Sequence, residues 1–148
     1  MQSRYRRSAQ RGVSRLLLFG YQGKLIKLAG GIFHTHHHLA DGRAEILTAM
    51  AALEGLCPDQ LTALHSAPTV ESAMADLQAW DPRLAERLWR RITATIEQRS
   101  QDYLARHGAG PRDGCSLLVG VVLFDRARRV VAGGPEGMAM LEALGRPT

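Results

Sequence analysis

Apolar residues in the first part of the chain change spacing in a way that predicts a strand between two helices. Residues 14–19 (SRLLLF) contain a short continuous apolar run, which is typical of a buried parallel strand. The next segment, residues 20–23 (GYQG), predicts a glycine turn, and residues 24–29 begin a helix. Upstream, residues 3–11 predict a helix that ends at Gly12. This order of elements is expected of an α/β fold.

The middle of the chain has helical spacing with polar residues at the expected starts. Asp41 predicts the N-cap of a helix, Pro58 begins a short helix, and Thr69 caps another. Asp81 precedes the longest helix, which we expect to end near Gly108. In the first of these helices, the apolar residues predicted to share one face are Ile46, Leu47, Met50 and Leu53.

The C-terminal part predicts an antiparallel hairpin, because apolar runs at 115–125 and 128–134 flank a polar turn. A last helix is expected over residues 136–144. The predicted fold class is therefore α/β: a single domain over residues 1–148, with a small mixed sheet, a C-terminal hairpin and several flanking helices. The first strand has no parallel neighbour upstream. We therefore expect a fragment of a larger two-domain protein, with a missing N-terminal half or self-association through an unpaired strand edge.

Charge and composition narrow the class of partner. The net charge of +5 and the pI of about 9.9 favour anionic ligands. Aromatic residues make up 5% of the chain, and no nucleic-acid-binding motif is present, so a small polycarboxylate is a better candidate than nucleic acid. No apolar run reaches the roughly 18 residues of a membrane span, and the N-terminus does not resemble a secretion signal. Two isolated cysteines suit a reducing compartment, and we expect a cytoplasmic protein.

Lysine is restricted to one short stretch, since the chain has seventeen arginines but only Lys24 and Lys27. The surrounding GYQGKL matches neither a P-loop nor a dinucleotide-binding fingerprint. Two interpretations stay open for residues 20–23. In one, the glycines let the backbone approach a ligand at the positive end of a helix; in the other, the segment is an ordinary tight turn.

Four of the six histidines follow within residues 34–38. A metal site is one interpretation, but the spacing matches no zinc motif, and we assign no metal ligand. A single histidine that carries a proton or binds the substrate is the preferred interpretation, since its pKa lies near neutrality. Trp80 and Trp89 are interpreted as packing residues on helix faces. The alternative to an enzyme is a small anion- or metal-binding module built on the Gly-Lys segment and the histidines.

Residues 20–45 resemble the cobalt-precorrin-5B C1-methyltransferase family of anaerobic cobalamin biosynthesis, in its C-terminal half. The family pattern is a buried strand followed by G-x-x-G-K-L-x-K-L-A-x-G-I, then T-H, then A-D-x-R-x-E. The matching positions are Gly20, Gly23, Lys24, Leu25, Lys27, Leu28, Ala29, Gly31, Ile32, Thr35, His36, Ala40, Asp41, Arg43 and Glu45. The hairpin sequence near residues 121–131 is also similar to the family's C-terminal end.

The resemblance implies transfer of a methyl group from S-adenosyl-L-methionine to C1 of cobalt-precorrin-5B, giving cobalt-precorrin-6A. It implies catalytic roles for His36 and Asp41. The residues it implies in binding substrate or cofactor are Gly20, Gly23, Lys24, Lys27, Gly31, Thr35 and Arg43. Family members are more than twice as long as this chain, which implies that it lacks their N-terminal portion.

Overall fold

The computed structural model describes residues 14–33, 41–109 and 117–145. Within these ranges it contains three strands and six α-helices. In chain order they are β1 (Arg15–Tyr21), α1 (Gln22–Ala29), α2 (Arg43–Leu53), α3 (Pro58–Ser66), α4 (Val70–Trp80), α5 (Pro82–Leu104), β2 (Leu118–Phe124), β3 (Val130–Gly133) and α6 (Pro135–Leu144). One π-helical turn, Ala105–Ala109, extends α5. The helix predicted at residues 3–11 lies outside the described residues.

The sheet has the order β1-β2-β3, with β2 in the centre. β1 and β2 are parallel, with Tyr21 opposite Phe124. β2 and β3 are antiparallel, with Val122 opposite Gly133. The predicted small mixed sheet with a C-terminal hairpin is confirmed. β1 therefore finds its parallel neighbour downstream in the sequence, beyond the whole helical region.

The two parallel strands differ in burial. In β2, Val121 and Leu123 are fully buried in the core, as expected of a strand with neighbours on both sides. In β1, Leu18 is buried but Phe19 is 52% exposed. The prediction that the first strand is buried is therefore only partly right. Among the described residues β1 pairs with β2 alone, so one edge of β1 is not covered by another strand.

The predicted glycine turn at residues 20–23 is wrong, because α1 begins at Gln22 directly after β1. The two glycines serve close packing instead. A Cβ at Gly20 would lie 2.8 Å from Cδ1 of Leu25, and a Cβ at Gly23 would lie 2.7 Å from Cε1 of Tyr21. A larger residue at either position would displace a neighbouring side chain.

Local capping signals were interpreted correctly at two helices. Thr69 accepts the backbone N–H of Ser72 at 3.0 Å, and Asp81 accepts that of Leu84 at 3.2 Å. The predicted N-cap role of Asp41 is wrong, since Gly42 with φ of 68° occupies that position. The predicted apolar face of α2 is also only partly right: Leu47 is buried, whereas Leu53, the last residue of the helix, is 65% exposed.

β3 pairs only with the second half of β2. Along the first half of β2, two side chains of α5 bind the backbone groups that a neighbouring strand would otherwise bind. Gln101 donates to the carbonyl of Leu117 and accepts the N–H of Val119, and Glu97 accepts the N–H of Val121 at 2.9 Å. Alternate residues of a strand are about 6.6 Å apart and one helical turn rises about 5.4 Å. Residues four apart on the helix therefore match backbone groups two apart on the strand.

Glu97 also holds the start of α6. Its carboxylate accepts the backbone N–H groups of Glu136 at 3.1 Å and Gly137 at 2.7 Å. These are first-turn groups of α6, which has no side-chain cap of its own. Gly137 lies so close to β2 that a Cβ would overlap the backbone of Val121. Since Glu97 is 7% exposed, one buried carboxylate joins α5, β2 and α6.

Candidate functional site

The carboxyl ends of β1 and β2 lie at the same edge of the sheet because the two strands are parallel. Open α/β sheets bind ligands at this edge. α1 starts there immediately after Tyr21, with neither a side-chain cap nor an acidic residue in its first turn. Lys24 is exposed in that turn. The helix N-terminus and the ammonium group both attract negative charge.

Tyr21 links three elements at this edge. Its ring lies over Gly23, and its hydroxyl donates to Glu71 Oε2 at 3.3 Å. The guanidinium of Arg126 donates to the same hydroxyl at 3.4 Å and pairs with Glu71 at 3.5 Å. The hydrogen bond to Tyr21 raises the pKa of Arg126. A cation on the β2–β3 turn is thus fixed beside the end of β1 by a phenol and a carboxylate.

Asp41 and Arg43 form a second charged pair. Arg43 Nε donates to Asp41 Oδ1 at 2.7 Å, and this contact lowers the pKa of Asp41 and raises the pKa of Arg43. The charge of Lys27 also lowers the pKa of Asp41. The pair therefore lies within electrostatic reach of Lys27.

A cavity of about 280 Å³ opens next to this pair. It lies between the start of α2, the end of α3 and the linker that leads into α4. Its lining includes Asp41, Arg43, Glu45, Thr69 and Val70. Because Glu71 follows Val70, the cavity and the Tyr21 cluster both border the first turn of α4.

The described residues on either side of the predicted site residues Thr35 and His36 are close to each other. A Cβ at Gly42 would lie 3.3 Å from Cδ1 of Ile32, so these two residues are neighbours. Phe33 stacks on Tyr103 with ring centroids 4.1 Å apart. Residues 34–40 lie outside the described residues, so the roles predicted for Thr35 and His36 stay predictions.

The structure places the other predicted site residues on α1, at its ends and at the start of α2. Lys24 is exposed, whereas Lys27 is 2% exposed, so the two lysines have different environments although they are three residues apart. Gly31 has φ of 76°, and a Cβ there would lie 3.1 Å from Nη1 of Arg99. The roles predicted for these residues in binding stay predictions.

The sequence interpretation missed three residues of this edge: Tyr21, Glu71 and Arg126. Arg126 belongs to the DRARR turn, which looks like a solvated hairpin tip in the sequence. Arg126 can be recognised only from the sheet topology. Because β1 and β2 are parallel, the turn that follows β2 lies beside the end of β1. Glu71 has no comparable local signal, since it is 50 residues from Tyr21.

No group of three His, Cys, Asp or Glu residues is placed to hold a metal ion in the part of the chain that the structure describes. His34, His36, His37 and His38 lie outside that part. None of the described helices is long and apolar enough to cross a membrane.

Comparison with known proteins decides the family. The family model for the CbiD C-terminal domain matches residues 34–135. The chain belongs to this family. It is 53% identical over 138 residues to a cobalt-precorrin-5B C(1)-methyltransferase of Prochlorococcus marinus strain MIT 9303, a match that covers 93% of this chain and 34% of the relative.

Other relatives carry the same name. The chain is 52% identical over 128 residues to the protein of Synechococcus sp. strain CC9902, covering 86% of this chain and 34% of the relative. It is 44% identical over 138 residues to that of Prochlorococcus marinus strain NATL2A, covering 93% of this chain and 35% of the relative. The chain spans about a third of the length of these curated relatives. No solved structure matches it.

Proposed function

We propose that this CbiD C-terminal domain is the part of a cobalt-precorrin-5B C1-methyltransferase that binds carboxylate groups of the ligands. The observation that carries the proposal is the basic carboxyl edge of β1 and β2, in a chain whose relatives have that name. In the reaction, a methyl group moves from the sulfonium of S-adenosyl-L-methionine to ring carbon C1 of the macrocycle, and the sulfonium leaves as a neutral thioether.

The charges at the edge suit a ligand with several carboxylates. Two exposed cations lie at it: Lys24 in the first turn of α1 and Arg126 on the β2–β3 turn, which pairs with Glu71. Arg126 is held by Tyr21 and Glu71 before any ligand binds, so less conformational entropy is lost when its guanidinium pairs with a carboxylate. A corrinoid precursor carries many carboxylates, and the domain's contribution to rate is then mainly positioning.

The described residues also fit one part of the methyl donor. The carboxylate of S-adenosyl-L-methionine suits the uncapped start of α1, where first-turn N–H groups and the exposed Lys24 lie together. When bound, the cofactor supplies an electrophilic methyl group. Within the domain, Lys24 and Arg126 bind carboxylates, Lys27 and Arg43 keep Asp41 ionised, and His36 is the candidate proton carrier.

The test is methyl transfer to cobalt-precorrin-5B from labelled S-adenosyl-L-methionine. The chain is assayed alone and after co-expression with the remaining two-thirds of the Prochlorococcus marinus MIT 9303 relative. We expect label at C1 of the product in the co-expressed sample. Absence of label there, with the full-length relative active in parallel, would refute the proposal.

A matched pair of variants tests the role of the edge. Arg126→Ala removes the guanidinium held by Tyr21, whereas Arg87→Ala removes an exposed guanidinium on α5 that pairs with Glu54. We expect the first to raise the KM for the macrocycle about tenfold or more, which corresponds to about 1.4 kcal/mol of binding. The second should leave KM unchanged; equal effects would assign the loss to net charge alone.

A further inference from the structure

A groove of about 540 Å³ runs along the outer side of β3. Its floor is β3 itself, one wall is the first half of α5, and Met138 of α6 closes one end. The lining consists of Gln78, Pro82, Arg83, Glu86, Trp89, Arg90, Val130–Gly133 and Met138.

The groove has the composition of a protein interface. Val130 and Met138 in its lining are 46% and 44% exposed. Trp, Met and Arg, which the lining contains as Trp89, Met138, Arg83 and Arg90, are the residue types enriched in the cores of protein–protein interfaces. Two of the exposed large apolar side chains in the described part of the chain therefore lie in one groove.

The backbone of β3 offers hydrogen-bonding groups along this groove. In the described part of the chain, β3 pairs with β2 alone, and no side chain of α5 bonds to it. The contrast with β2 is direct: Glu97 and Gln101 of α5 satisfy the backbone of that strand. Farther toward its N-terminus, α5 is separated from β3 by the groove, which both elements line.

We infer that this groove receives a β-strand from the part of the enzyme that this chain does not span, which pairs with the outer edge of β3. The relatives are about three times as long as the aligned region, so most of their sequence lies outside it. Addition of a strand to a sheet edge takes its affinity from main-chain hydrogen bonds and its specificity from side-chain pockets. Trp89 and Met138 provide such pockets, and Arg83 lies on the rim. The inference does not depend on methyl transfer.

The experiment co-expresses this chain, carrying an affinity tag, with the remaining part of the Prochlorococcus marinus MIT 9303 relative. Met138→Glu places a charge in the groove. Leu53→Glu is the matched control, because Leu53 is 65% exposed on α2 and outside the groove lining. Circular dichroism checks that both variants are folded. We expect the first to reduce recovery of the partner at least tenfold and the second to leave it unchanged.

Hydrogen exchange locates the contact. In the complex, amides of residues 130–133 should exchange at least tenfold more slowly than in the chain alone. Equal recovery with both variants, no complex with the wild-type chain, or protection at Arg15–Tyr21 in place of β3 would each overturn the inference. A dimer of the chain alone that Met138→Glu dissociates would assign the groove to a second copy and would also overturn it.

Discussion

The carboxylate of Glu97 accepts the backbone N–H of Gly137 at 2.7 Å, so a side chain of α5 caps a helix that begins 38 residues later along the chain. The same carboxylate binds backbone groups of Val121 and Glu136. Three backbone donors, two of them buried, thus depend on one carboxylate, and a buried donor without a partner costs about 1–3 kcal/mol.

Glu97→Ala should therefore lower the free energy of unfolding by about 3 kcal/mol or more. Glu97→Gln should cost less, because one amide oxygen still accepts hydrogen bonds. Urea denaturation measures both. The matched control is Glu86→Ala on the same helix, whose exposed ion pair with Arg90 contributes about 0–1 kcal/mol. If the Glu97 and Glu86 variants were equally stable, the capping role would be excluded.

Gly137→Ala should destabilise the protein although alanine is the better helix former. Within a helix this change normally stabilises by roughly 1 kcal/mol, but here the Cβ would overlap the backbone of Val121. Overpacking costs typically about 1–3 kcal/mol, and thermal unfolding should detect it. Gly145→Ala is the control, since the nearest atom to its Cβ would be 3.7 Å away. A higher melting temperature for Gly137→Ala would contradict the close helix–strand packing.

In the complete enzyme, Lys24→Ala and His36→Ala should each reduce methyl transfer about tenfold or more, a loss of roughly 1.4 kcal/mol of transition-state stabilisation. Melting should change little, because Lys24 is exposed. His37→Ala and His38→Ala serve as controls and should alter neither quantity. If His38→Ala were as damaging as His36→Ala and bound metal were lost with it, a metal site would replace this assignment.

Tyr21→Phe keeps the ring over Gly23 and removes the hydroxyl that binds Arg126 and Glu71. We expect a higher KM for the macrocycle with kcat nearly unchanged, since the guanidinium is then less well positioned. Tyr103→Phe is the matched control: its buried hydroxyl has no hydrogen-bond partner among the described residues, so its loss should be neutral or stabilising. If Tyr21→Phe left the KM for the macrocycle unchanged, positioning of Arg126 by Tyr21 would be excluded as a contribution to ligand binding.

The β2–β3 turn should contribute to stability in a pH-dependent way. Backbone hydrogen bonding by Arg129 lowers the pKa of Asp125 from its ordinary value of 3.8. Its contribution is therefore complete above pH 3.8 and is lost as the pH falls through the lowered pKa. Asp125→Asn should melt at a lower temperature than the wild type at pH 7, and the difference should shrink below about pH 4. A constant difference from pH 7 to pH 2 would exclude ionisation as the cause.

Sequence reasoning succeeded where a few neighbouring residues determine the outcome. The caps at Thr69 and Asp81 bind N–H groups three residues away, and the hairpin needs one turn with apolar runs on both sides. It failed at residues 20–23, because GYQG is also compatible with a helix that begins directly after a strand. The glycines there accommodate Leu25 and Tyr21, and local patterns do not reveal such contacts.

The candidate site shows the same division. Lys24 and Asp41 were predicted because they belong to one continuous sequence signature, and their roles stay predictions. Arg126 and Glu71 were missed because their place beside Tyr21 depends on which strands are parallel, over separations of 105 and 50 residues. Side chains that meet only through sheet topology carry no periodic signal in the sequence.

The pairing of β1 with β2 joins segments about a hundred residues apart, such as Leu18 and Val121. During synthesis at about 5–20 residues per second, β1 would leave the ribosome several seconds before its partner. The helices α2 to α5, whose contacts are mostly local, can form in that interval. We therefore expect the sheet to be the last part to fold, with the apolar residues of β1 exposed to chaperones until β2 is made.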